Sequence, residues 1–246
     1  MNNLFSNNYP IINLYKKAST KSEIVSQMIY GEGFKIINRS SKWLKIKIKE
    51  DKYIGYIIKK KFIPYVRPTH KVSALFAKTY KNHNFKNEIT KLPYASKIKI
   101  NSSNSKFSKF QDGWIEKKNI KLLKYKQKNI FNNIKIFKNV KYIWGGKTFQ
   151  GIDCSALIQI FLNFNNRFCP RDSSQQEKFF KKNVDLINIK KNDIIYWKGH
   201  VAVALSNKKV IHAYGPKKKV VIMNIAYAIK LLKKTANLDV VSIKKI

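Results

Sequence analysis

Apolar and polar positions set the outline of this chain. Across residues 28–66, short apolar runs separated by turns predict four brief strands. Trp43, Leu44, Ile46 and Ile48 mark one of them, with Lys45 and Lys47 alternating outward after Leu44. Gly31, Gly33 and Gly55 punctuate the turns, and the spacing suits a small β-barrel. The pattern recurs from Val72 to Ile120, with a strand over 72–78, a turn at Pro93, and strands over 97–100 and 112–118. Residues 101–109 are polar and read as a loop. Two tandem barrels are therefore expected, over 1–66 (with an N-terminal tail) and 67–124.

The remainder, 125–246, mixes periods. Ile130, Ile134 and Phe137 have helical spacing and predict a helix over 129–139. Residues 154–165 are apolar on nearly every side, leaving a narrow strip of Gln159 and Asn163, so a helix there must be buried. A short helix follows Pro170, and then come strand-like runs at 193–197, 200–205, 210–214, 220–223 and 239–246. Helices followed by a run of strands predict an α+β domain with an antiparallel sheet.

Composition narrows the class. With 44% hydrophobic residues the chain folds rather than staying disordered. Lys+Arg 51 against Asp+Glu 13 gives a net charge of +38, which suggests polyanionic partners. The lysines, however, are spread along the whole chain, whereas nucleic-acid contact concentrates charge on one face. Overall bias is the preferred reading, and no obligate nucleic acid is expected. Two cysteines are too few for a disulfide framework and fit a reducing compartment. The N-terminal segment lacks secretory features and no run is apolar for long enough to span a bilayer, so a cytoplasmic location is expected.

Candidate chemistry centres on Cys154, which opens the buried helix. A helix N-terminus favours thiolate, and its free N–H groups suit a developing oxyanion. His200 begins one strand and His212 lies inside the next. Alternation places them on one face only if the connecting loop is odd-numbered or bulged. With a three-residue loop Val201 and Val203 meet Ala213 and Ile211. Both histidines then point with Ala202 and Ala204 toward the buried helix, giving nucleophile, base and orienting residue. A lone strand histidine is more often structural. A zinc site from Cys154, His200, His212 and Cys169 is a further alternative, although the close ligand pairs of structural zinc are missing. Cys169, beside Pro170, otherwise reads as a packing residue.

The segments YIWGG (142–146), GIDCSALIQ (151–159), CPRDSSQQ (169–176), NDIIYWKGHVAVAL (192–205) and VIHAY (210–214) resemble the NlpC family of papain-like cell-wall cysteine peptidases. With YGEGFKI (30–36) and DKYIGYI (51–57), the chain is similar to the dipeptidyl-peptidase VI (YkfC-like) branch, which carries bacterial SH3-like domains. The resemblance implies a papain-like domain behind two SH3-like barrels, with Cys154 as nucleophile, His200 as base and His212 as third residue. It also implies substrate contacts from Asp153, through the substrate's free α-amine, and from Ser155, Tyr142, Ser173 and Tyr53. The implied reaction is hydrolysis of the γ-D-glutamyl–L-diamino acid bond in murein peptides with a free N-terminal L-Ala; no cofactor or metal is expected, and the missing secretory features favour a role in cell-wall recycling. Two departures stand out: a branch glutamate falls on Val25, with Glu23 nearby, and Ala156 replaces a glycine. The rival class is a basic module binding cell wall or nucleic acid, with a degenerate peptidase domain.

Overall fold

The computed structural model describes residues 3–246, and β-structure dominates its first half as alternation predicts. Strands 24–29, 11–15, 54–58, 43–48, 33–39, 4–6 and 63–64 form one sheet in that order, open at both ends in its hydrogen bonding. In Trp43–Ile48 the alternating Leu44, Ile46 and Ile48 are buried against Leu14, Met28 and Phe34, while Lys47 is exposed.

The second segment forms a five-stranded and a three-stranded sheet. The expected strand 72–78 splits between them, as His70–Val72 and Phe76–Tyr80. The stretch read as a loop instead contributes strands Ser102–Ser103 and Phe107–Phe110. These pair antiparallel, because Phe107 and Phe110 turn into the core between polar neighbours.

Neighbouring units share side chains. Tyr30 of the first unit joins the core of the second and donates its hydroxyl to Asp112 at 2.5 Å. Gly31 has φ +77° and lies so close to the Lys97 carbonyl that a Cβ would sit 1.8 Å from the oxygen. Tyr94 packs between Phe161 and Phe164, with ring centroids 4.9 and 4.7 Å away.

The last segment is α+β. Its sheet runs antiparallel in the order 219–224, 209–214, 200–204, 194–197, 240–244. Helix α1 (Cys154–Phe164) is buried at every position but Asn163, and α2 (Ser173–Phe179) follows Pro170. Gln159, on the expected polar strip, is fully buried and donates to Asp51 Oδ2 at 3.2 Å and to the Cys169 carbonyl at 3.1 Å.

Residues 129–139 form turns and a single 3-10 turn, Ile134–Phe137, rather than a helix. The segment has no side-chain cap and ends at Asn139 with φ +68°, yet still buries Phe131, Ile134 and Phe137. A third helix, α3 (Ile225–Ala236), was not anticipated. It is capped by Asn224, whose Oδ1 accepts from the Tyr227 N–H.

The histidine strands pair Val203 with Ile211 and Ala204 with Val210 around the three-residue loop 206–208, the parity that places both histidines on one face. The helix on that face is α3. Ala202, Ala204 and Val210 cluster with Ile225, Ala228 and Leu232, while α1 packs against Val201, Val203, Ile211 and Ala213 on the opposite side.

Candidate active site

Asp153 is the N-cap of α1, accepting the Ala156 N–H at 2.8 Å, which makes Cys154 the first helical residue. The backbone N–H groups of Val201 and Ser155 lie near enough to the Cys154 sulfur to favour its thiolate. Val201 follows His200 in the chain, so the mouth of α1 meets the end of the histidine strand.

His200 Nε2 lies 2.8 Å from His212 Nδ1, and His212 Nε2 lies 3.4 Å from the Met223 sulfur. A thioether can only accept, so His212 carries its proton on Nε2 and accepts at Nδ1. His200 must then donate from Nε2, which leaves its Nδ1 lone pair as the free basic site.

Burial sets the ionisation. It pushes the Cys154 thiol up to about 12, with the Asp153 carboxylate adding to the effect and Val201, Arg171 and Ser155 opposing it. It pulls His200 down to about 4 and, together with His200, pulls His212 down to about 3. The expected depression of the thiol is therefore reversed, because lost solvation and the adjacent cap outweigh the helix N-terminus. Burial thus favours the neutral thiol and the neutral imidazole.

Asp153 is fully engaged. Arg171 Nη1 donates to its Oδ1 at 3.0 Å and Nη2 to its Oδ2 at 2.5 Å, and the Gly145 N–H donates to Oδ2 at 3.0 Å. Ser155 is drawn into the same network, donating to Asp153 Oδ1 and accepting from Arg171 Nη1. Arg171 also donates to Ser26 of the first unit. Gln176 donates to the carbonyls of Ser155 and Pro170, both at 2.9 Å. Sequence reading gave Arg171 and Gln176 no role. The signal for Arg171 was available: it is one of only four arginines in a lysine-rich chain, and bidentate carboxylate binding requires a guanidinium.

A cavity of about 470 Å³ opens at Cys154. Tyr53, Asp153, Ser155 and Ser173 line it, bringing together four of the expected contact residues, with Glu23, Val25, Trp144 and Asp172. Tyr142 lies beside Cys154 but outside the lining, its ring packed 3.5 Å from where a Gly215 Cβ would stand. The Tyr53 hydroxyl lies 3.4 Å from Asp172 Oδ1, and burial raises that carboxyl despite Arg171 nearby. Trp144 Nε1 donates to Glu23 Oε1 at 2.6 Å, and Lys16 pairs with Glu23 at 3.3 Å. Among the described residues no group of three or more His, Cys, Asp and Glu side chains is arranged to hold a metal ion. Cys169, the fourth zinc ligand considered, points its sulfur at the Pro170 carbonyl.

A cysteine at the mouth of a buried helix, packed on an antiparallel sheet that carries a hydrogen-bonded histidine pair, is the arrangement of a papain-like fold. Comparison with known proteins shows which families the two ends of the chain match. Residues 139–235 match the NlpC/P60 family, and residues 14–61 match the bacterial dipeptidyl-peptidase SH3 domain. The chain is 36% identical over 72 residues to dipeptidyl-peptidase 6 of Lysinibacillus sphaericus, an alignment covering 29% of this chain and 27% of that protein. It is 23% identical over 229 residues to γ-D-glutamyl-L-lysine dipeptidyl-peptidase of Bacillus cereus, covering 78% of this chain and 68% of that one. The crystal structure of an NlpC/P60 family protein from Bacillus cereus shares the fold, with a TM-score of 0.84 at 16% identity over 98% of this chain and 99% of that chain. Among the described residues no helix is long and apolar enough to cross a membrane.

Proposed function

We propose that this protein hydrolyses the γ-D-glutamyl–L-diamino acid bond of free murein peptides carrying an unblocked N-terminal L-Ala, in the cytoplasmic recycling of cell-wall fragments. The observation that carries this reading is the Cys154 cavity, walled on one side by Glu23, Val25 and Tyr53 of the first β unit. Residues 1–66 and 67–124 act as SH3-like barrels framing a peptidase domain over 125–246, and the first of them restricts the site to short peptides.

In this reading His200 Nδ1 takes the thiol proton as Cys154 sulfur attacks the γ-D-glutamyl carbonyl. His212 holds the imidazole through its Nδ1. The Ser155 and Val201 N–H groups near the sulfur serve the developing oxyanion. The imidazolium then protonates the leaving amine, and water, activated by His200, releases the dipeptide. Asp153 is held by Arg171, so the cationic α-amine falls to Asp172, beside Tyr53, with Glu23 at the rim. Ser155 and Tyr142 shape the site around the nucleophile, and Ser173 contacts the peptide.

The test is incubation with L-Ala-γ-D-Glu-L-Lys and its N-acetylated form. Cleavage of the free-amine peptide alone, abolished by Cys154→Ala, is expected. Equal cleavage of both peptides, or turnover surviving in the Cys154→Ala variant, refutes the reading.

A further inference from the structure

Lys147 lies in a short hairpin (Lys147–Thr148 with Gly151–Ile152) ahead of α1, and its side chain is wholly buried. Its ammonium meets two carboxylates of the first β unit, Glu32 Oε1 at 2.7 Å and Asp51 Oδ2 at 3.8 Å. Asp51 is a junction. Its Oδ2 also accepts from Gln159 of α1, and its Oδ1 accepts the Tyr53 N–H at 2.9 Å. Glu32 is tied to its own unit by the Ile29 N–H at 2.8 Å.

Three charges in a dry joint are a poor choice for stability alone, since well-packed apolar residues commonly serve as well or better. What the charges provide is direction, fixing one placement of Asp51 and hence of Tyr53. We propose that Lys147 is a positioning residue that, through Asp51, holds Tyr53 at the Cys154 cavity and so sets affinity for the peptide without entering the chemistry. The inference rests on the reading above that the cavity takes a peptide. A second tie runs alongside: the Lys147 N–H donates to Gln27 Oε1 at 2.9 Å, and Gly145, with φ +73°, lies against the Ile24 carbonyl.

The experiment compares wild type with Lys147→Met, which leaves two buried carboxylates uncompensated, and with Lys147→Met/Glu32→Gln, which removes one of those two charges if the single variant does not fold. Three measurements are made: kcat and KM on L-Ala-γ-D-Glu-L-Lys, alkylation of Cys154 by iodoacetamide, and hydrogen exchange at the Tyr53 amide. The expected result is KM raised about tenfold with kcat within about threefold. Alkylation should be unchanged and Tyr53 exchange about tenfold faster. A folded variant with unaltered KM and unaltered Tyr53 exchange overturns the proposal, as does a fall in kcat and alkylation with KM preserved. If wild type leaves the peptide intact, the functional reading fails on its own and Tyr53 exchange alone decides the role of Lys147.

Discussion

Arg171 grips both carboxylate oxygens of Asp153, immediately ahead of Cys154, in a pair almost closed to solvent. The guanidinium holds the helix cap in one orientation and offsets the negative charge nearest the sulfur. Burial opposes the Arg171 charge, but Asp153 more than compensates and keeps it protonated. Arg171→Met should therefore cost about 3–5 kcal/mol, because a buried carboxylate is left unpaired. Arg171→Lys should fold but lose activity, since one ammonium cannot serve both oxygens. Chemical denaturation and kcat/KM measurements check both.

In the proposed mechanism His212 orients His200 only while it accepts at Nδ1. His212→Asn, which keeps an acceptor oxygen, should retain more activity than His212→Phe, for which kcat falls by about 100-fold or more. Met223→Leu removes the sulfur that fixes the His212 tautomer, and kcat should drop a few-fold with KM unchanged.

Both histidines are held neutral, and this makes stability depend on pH. Their folded values, about 4 and about 3, lie below the ordinary 6.5. Below pH 6.5 the unfolded chain binds protons that the folded chain refuses. The contribution is thus complete above 6.5 and is lost as pH falls through 4 and then 3. Denaturation midpoints across pH 3–8 should show this decline, reduced in His212→Asn.

The neutral thiol has its own signature. With Cys154 held near 12, its alkylation by iodoacetamide in the free enzyme should climb about tenfold per pH unit through the neutral range. A plateau from weakly acidic pH upward would indicate a preformed thiolate–imidazolium pair instead.

In the cavity lining, Asp172→Asn and Tyr53→Phe should raise KM for a free-amine peptide by about ten- to a hundredfold and leave Cys154 alkylation unchanged. Peptide kinetics beside a thiol-labelling rate separate the two effects.

Much of this was legible in the chain. Alternation at Leu44, Ile46 and Ile48 marked a strand, and an all-apolar run after Cys154 required a buried helix. The two-residue repeat of strand side chains reduced the placement of His200 and His212 to two alternatives, and the three-residue loop 206–208 seen in the fold selected one. The run after Asn224 also carried a readable helix signal, a cap followed by apolar residues at Ile225, Ala228 and Leu232, yet α3 was missed and α1 was assigned to the wrong face.

Local order and register were thus written in the sequence, because periodicity and capping act between near neighbours along the chain. Which charges meet was decided only by the fold. Arg171 reaches Ser26 across 145 positions and Lys147 reaches Glu32 across 115, and no local pattern encodes such pairs. The same holds for the ionisation of Cys154: the cap and helix favouring a thiolate are local, but the burial that overrides them comes from the surrounding protein, whose low polarity penalises an isolated charge.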